Sequence, residues 1–247
     1  MVDSADLKST IAGYKILRTL GKGGNAVVKL VEKDNYKYAM KIFEPHKDDV
    51  ADFVAETKRE FDLVRSLNLE SVSKYYEFIE DVTWYKSRNG VSKPHCYCLV
   101  MEIIDGVELI DFVNQTKRQD EKYLRYVFKE VVTAMHKMHA TGIAHRDIKP
   151  ENIMLTNDFN IKMIDLGYGT KLAGRAQNGF NNTKLGTEGY MAPEIVLEQE
   201  YQGSDIDIFA LGVMMLVCRT MGYPFDVADK QDVKYKYLQE APEAFWA

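Results

Sequence analysis

Along "AVVKLVEKDNYKYAMKIF", Ala26 to Phe43, apolar positions are rich in Val, Tyr and Ile and are broken by the polar Asp34-Asn35. This pattern predicts a strand, a tight turn and a second strand. Beyond Val50 the period lengthens. Val50, Phe53, Val54, Thr57, Phe61, Val64 and Leu67 recur at helical spacing and predict one amphipathic helix. "KYYEFIEDVTWY" and "HCYCLVMEII" predict two more strands, with "KSRNGVSKP" between them as an exposed hairpin loop. From Asp105 the character changes. A short helix near Val107 to Asn114 is followed by a longer one carrying Leu124, Val127, Phe128, Val131, Met135 and Met138 on one face, with Gly142 at its C-cap. The longest apolar stretch, Ile206 to Cys218, is too short to span a bilayer and predicts a buried core helix. A strand-rich part with one helix thus precedes a helix-rich part, joined near residues 102–106. The fold class is α+β.

Composition narrows the function classes. The 247 residues suffice for one large domain or two small lobes. With 46% hydrophobic and 28% charged residues the chain is an ordinary globular protein. A formal net charge of −5 gives no whole-chain basic field for nucleic acid or an anionic membrane. The N-terminal "MVDSADLKSTIAGY" is polar and acidic, with no apolar run suited to a signal peptide. The three cysteines make no disulfide framework, which places the chain in a reducing compartment, cytoplasmic or nuclear. His95-Cys96-x-Cys98 has no matching second half of a metal site and reads as two thiols on one strand.

Candidate chemistry begins at "LGKGGNAVVKL", Leu20 to Leu30. Gly21, Gly23 and Ala26 fit a phosphate-cradling loop, the dinucleotide fingerprint, or only a Gly-rich turn. A dinucleotide fold needs a helix directly after the third small residue; here the pattern predicts strands on both sides. Two further motifs are more specific: "HRDIKPENIM", His145 to Met154, and "IKMIDLGYGT", Ile161 to Thr170. With "YAMKIF", "GTEGYMAPE" and "DIDIFALG" they resemble the eukaryotic protein kinases, in the family order, from about Tyr14 to the end. Lys41 and Glu60 are 19 positions apart, Asp147 and Asn152 are 5 apart, and Asp147 and Asp165 are 18 apart, as the family spaces them.

The resemblance implies a two-lobed fold: a small antiparallel-sheet N-lobe with one main helix, residues 14–103, and a mainly helical C-lobe, 104–247, after an N-terminal extension of 1–13. It implies ATP and Mg2+ as cofactors. Gly21, Lys22, Gly23, Gly24, Asn25 and Ala26 would close over the phosphates. Lys41 would bind the α- and β-phosphates with Glu60 orienting it. Asp147 would accept the hydroxyl proton or aim the nucleophile, and Lys149 would stabilise the transferring phosphoryl group. Asn152 and Asp165 would hold magnesium. Val28, Ala39 and Met154 would enclose the adenine, with Met101 as gatekeeper and the backbone of Glu102 and Ile104 on the base edge. Ala26 departs from the family's third glycine and Leu166 from its Phe; neither removes an acceptor, a cation or a metal ligand.

Lys149 and Thr187 resemble the serine/threonine kinases, nearest the calmodulin-dependent and related basophilic groups. Glu108 and Glu151 match acids that read a basic residue three before the acceptor, although two solvated surface acids fit as well. The partners implied are a protein substrate and, through Arg146 and Lys171, an upstream activating kinase at Thr183; no nucleic acid or membrane span is expected. The loop containing "GRAQNGFNN" is expected to be mobile. The chain stops at "APEAFWA", where family members continue with further helices, one supplying an Arg for Glu194; no Arg follows Arg219. This leaves a second reading open, a catalytically inactive kinase-like binding or scaffold protein, or a non-functional fragment. It also carries the expectation of an uncovered apolar patch.

Overall fold

The computed structural model describes residues 9–23, 26–85, 92–116, 121–174 and 178–245. Gly24 and Asn25 therefore lie outside the described residues, as do 175–177 of the loop expected to be mobile. The chain divides into two units, residues 1–66 with 73–104, and residues 67–72 with 105–247.

In the first unit the strands β1 (Thr10–Ile11), β2 (Tyr14–Lys22), β3 (Ala26–Lys33), β4 (Tyr36–Phe43), β5 (Tyr75–Tyr85) and β6 (Ser92–Met101) close a barrel in the order β1-β2-β3-β4-β6-β5. The period-two pattern explains its interior. Met40 and Ile42 of β4 and Cys96, Cys98 and Val100 of β6 join Ile11, Tyr14, Val31 and Trp84 in the barrel core. Both thiols are free, as the sequence implies, and burial, with the neighbouring Cys96, pushes the Cys98 thiol up to about 12.

Residues 10–11, assigned from sequence to an extension, pair with both β2 and β5 and complete the barrel. Ile11 is fully buried, and the Ser9 hydroxyl accepts from Trp84 Nε1 (3.0 Å) and donates to the Tyr85 carbonyl (2.9 Å). A two-residue strand has no periodicity to read.

Alternation puts the intervening residues on the other face. Register pairs Val28 with Lys41, Leu30 with Ala39, Ala39 with Met101, Lys41 with Leu99 and Phe43 with Tyr97, and directly opposed residues share a face. Helix α1 (Val50–Ser66) packs on that same face: the Phe53 ring lies 5.1 Å from Phe43 and 5.6 Å from Tyr97.

The second unit is built on α3 (Glu121–Ala140), whose buried residues include all six predicted for its apolar face. Before it come β7 (Gly106–Glu108) and α2 (Leu109–Thr116). A helix was expected from Val107. Gly106 instead lies so close to the Leu155 carbonyl that no side chain fits, which lets β7 pair with β9. The remaining strands are β8 (Ile143–Ala144), β9 (Ile153–Thr156), β10 (Ile161–Met163) and β11 (Thr170–Lys171); α4 (Pro193–Val196), α5 (Gly203–Thr220), α6 (Val233–Glu240) and α7 (Pro242–Phe245) follow. Sheet order is β10-β9-β7, with β11 paired to β8.

Helix α5 buries Ile206, Leu211, Val213, Met214 and Val217, as its composition demands. Its enclosure is incomplete, however: Ile208 and Met215, seven positions apart on one side, are 59% and 43% exposed. No helix among the described residues is long and apolar enough to cross a membrane.

Candidate active site

The residues singled out from sequence fall into two groups, one in each unit. In the second unit, the segment from His145 to Asn152 leads from β8 into β9, and Asp147 is buried at its centre. Both carboxylate oxygens of Asp147 are engaged. Oδ1 accepts from the Thr187 hydroxyl at 2.7 Å. Oδ2 accepts from Asn152 Nδ2 at 2.9 Å and lies 2.8 Å from Lys149 Nζ. Lys149 also donates to Thr187 Oγ1 at 2.7 Å, so acid, ammonium and hydroxyl form a closed ring. Charge-assisted bonds of this length fix orientation as well as charge.

This segment is held in a costly backbone conformation. Arg146 has φ 65° and Asp165 φ 57°, left-handed values that cost about 1–3 kcal/mol each in ordinary residues. Asp207 of α5, fully buried, maintains the first of them. Its carboxylate accepts the backbone N–H of His145 (2.9 Å) and of Arg146 (2.7 Å), and His139 Nε2 lies 2.8 Å away. The His145 ring accepts the Asp147 N–H on Nδ1 and donates from Nε2 to the Ile164 carbonyl, tying Asp147 to the residue before Asp165. Arg146 Nε donates to the Tyr168 carbonyl (2.6 Å) and Nη1 to the Tyr201 hydroxyl (3.1 Å), which itself donates to the Thr183 carbonyl.

Sequence reasoning missed Tyr201, His139 and the bracing role of Asp207. An acid inside an otherwise apolar helix was the available signal, because a buried carboxylate needs donors.

Glu108 ends β7, and its in-register partner on β9 is Met154. Burial, then the charges of Asp111 and Glu151, raise the Glu108 carboxyl above its ordinary range. Glu151 Oε2 is buried with no hydrogen-bond partner among the described residues.

In the first unit, register places Val28, Ala39, Lys41 and Met101 on the α1-facing side of the sheet. Lys41 Nζ lies 5.5 Å from the Phe43 ring centroid. Glu60, one of α1's buried residues, sits seven positions after Phe53 and so on the same stripe of the helix. Its carboxylate accepts from the Tyr75 hydroxyl at 2.6 Å. The Glu102 N–H is committed to the Lys74 carbonyl at 2.8 Å, which leaves only its carbonyl for a base edge.

Two observations test the fit to a nucleotide and a metal. Gly21 and Gly23 have no left-handed φ, and a Cβ at either would meet nothing closer than 3.8 Å. The protein's own packing does not require glycine there, whereas close approach of a ligand to the backbone would. For the metal, Asn152 spends its Nδ2 on Asp147, so its carbonyl Oδ1 is the end left to act as a ligand. No cluster of three His, Cys, Asp or Glu exists among the described residues. Such a sparse oxygen set suits Mg2+, which takes one or two protein ligands plus substrate phosphates. The residues fit both groups.

The chain belongs to the protein kinase domain family, which matches residues 14–246. It is 33% identical over 238 residues to maternal embryonic leucine zipper kinase of Xenopus tropicalis, covering 94% of this chain and 34% of that protein. Serine/threonine-protein kinase cds1 of Schizosaccharomyces pombe is 34% identical over 230 residues, 89% of this chain and 47% of its own. SNF1-related protein kinase catalytic subunit alpha KIN12 of Arabidopsis thaliana is 32% identical over 225 residues, 89% and 42%. The chain therefore spans roughly a third to a half of the curated relatives it matches.

Proposed function

We propose that this chain is an ATP- and Mg2+-dependent protein serine/threonine kinase domain. The observation that carries the reading is the closed ring around Asp147, with Lys149, Asn152 and Thr187 all bonded to it. Phosphoryl transfer asks for positioning and charge neutralisation rather than covalent chemistry, and this ring offers both. Asp147 is aimed to accept the proton of a substrate hydroxyl. Lys149, held between Asp147 and Thr187, places its ammonium where charge develops on the transferred group. Asn152 and Asp165 would hold Mg2+, whose charge offsets that of the phosphate oxygens. Lys41, oriented by Glu60, would take the α- and β-phosphates, with Gly21 to Ala26 over them. Val28, Ala39 and Met101 of the first unit would line the adenine, with the Glu102 carbonyl and the Ile104 N–H on its edge.

Substrates with a basic residue three before the acceptor follow from Glu108 and Glu151. A raised carboxyl beside a buried carboxylate oxygen without a partner is an arrangement a guanidinium would complete. Thr183 is the proposed acceptor for an upstream kinase. Its carbonyl already reaches Arg146 through the Tyr201 hydroxyl, so a phosphate added there arrives beside a cation.

Phosphoamino-acid analysis of a randomised peptide library labelled with radioactive ATP tests the acceptor class. Phosphoserine and phosphothreonine are expected; phosphotyrosine as the main product would contradict the reading.

A further inference from the structure

Tyr75 opens β5 and is 5% exposed; Glu60 lies on α1 and is 8% exposed. The phenol hydroxyl donates to Glu60 Oε1 at 2.6 Å, a side-chain bond between α1 and the sheet that is buried on both ends. Register makes the bond functionally placed. Tyr75 opposes Met101, which opposes Ala39, two residues before Lys41 on the same strand. Tyr75, Met101, Ala39 and Lys41 therefore share the face that α1 covers. Near its start α1 is fixed to this face by the apolar contacts of Phe53, and two turns later by a polar bond from Glu60.

We propose that Tyr75 is a positioning residue for phosphoryl transfer. Its hydroxyl clamps the Glu60 carboxylate and holds it in the orientation from which it pairs with Lys41. This rests on the reading of Lys41 as the phosphate ligand and Glu60 as its partner. The chemistry favours a clamp over space filling. A carboxylate taken out of water needs donors, and an O–H bond to the ionised acid stabilises the charged form. A carboxylate also accepts on both oxygens, so a bond at Oε1 is compatible with an ammonium partner.

The test uses the full chain with a basic peptide substrate, comparing wild type, Tyr75→Phe, Glu60→Gln and the double variant. Phe keeps the buried ring and deletes only the donor. Tyr75→Phe is expected to lower kcat about tenfold, in line with losing one hydrogen bond to a charged group, while the peptide KM stays within twofold. Because the ionised form of Glu60 loses a donor, its carboxyl rises, and the acid limb of kcat/KM for ATP moves to higher pH. In the Glu60→Gln background, adding Tyr75→Phe should change kcat no further. Wild-type kcat and an unmoved acid limb in folded Tyr75→Phe would overturn the proposal, as would additive losses in the double variant. So would a Tyr75→Phe chain that fails to fold, because the hydroxyl would then serve the unit's stability rather than turnover. If Glu60→Gln alone turns over like wild type, the Lys41–Glu60 reading itself falls, a failure distinct from that of Tyr75.

Discussion

Glu108, proposed above to read a basic substrate residue, sits in an environment that opposes its ionised form. Burial and its acidic neighbours raise its carboxyl in the folded chain above the unfolded value of 4.5. The folded state then holds the proton more tightly than the unfolded one. Its contribution to stability is fully present below the unfolded value and is lost as pH rises through the folded one. Glu108→Gln removes that loss. The variant should melt higher than wild type at pH 7, and the gap should close near pH 4, read by calorimetry at both pH values. The same change should lower kcat/KM about tenfold for a peptide with arginine three before the acceptor, as one charge-assisted bond is lost. A variant that melts like wild type at pH 7 and keeps the arginine preference would contradict both halves. At this scale the sequence was most legible where residue type and spacing are dictated by chemistry. Asp147, Lys149 and Asn152 do come together in one hydrogen-bonded ring. Partners distant along the chain were not legible: nothing local to His139 or Tyr75 announces Asp207, 68 residues away, or Glu60, 15 away.

Elements with a clear period were legible for the same physical reason, since burial of one face writes the period into the sequence. The α3 stripe is the clearest case. Short elements escaped. β1 has two residues, and β7 depends on the close packing of Gly106 against β9 rather than on any pattern. Caps are local enough to test directly. Asp232 caps α6 by accepting the N–H groups of Lys234 and Tyr235 on Oδ1 and those of Asp226 and Val227 on Oδ2. Burial alone would raise its carboxyl, but these four donors hold it below the ordinary value of 3.8. The sign is opposite to that of Glu108. Its stabilisation is present above the unfolded value and is lost as pH falls through the folded one. Asp232→Ala should therefore cost about 1–2 kcal/mol at pH 7, seen as a melting point a few degrees lower, with the difference shrinking below pH 3. An unchanged melting point at pH 7 would show that the four bonds contribute nothing net.

For the molecule as a whole, the residues singled out divide between the two units: Lys41 and Glu60 lie in the first, and Asp147, Asn152 and Asp165 in the second. The division near residue 104 was readable from the change of period, but the assignment of residues 67–72 to the second unit was not. That segment bonds to β10, with the Met163 N–H reaching the Ser71 carbonyl at 2.7 Å, a tertiary contact with no local signature. The central claim is that Asp147 directs transfer of the ATP γ-phosphoryl group to a substrate hydroxyl. The most direct measurement is single-turnover transfer from radiolabelled ATP to a basic serine peptide, by wild type and Asp147→Asn. Asparagine keeps the size but loses the charge and one of the two acceptor oxygens. The account predicts transfer by wild type and a loss of at least a hundredfold in Asp147→Asn, with ATP affinity retained. Equal transfer by the two proteins would contradict it.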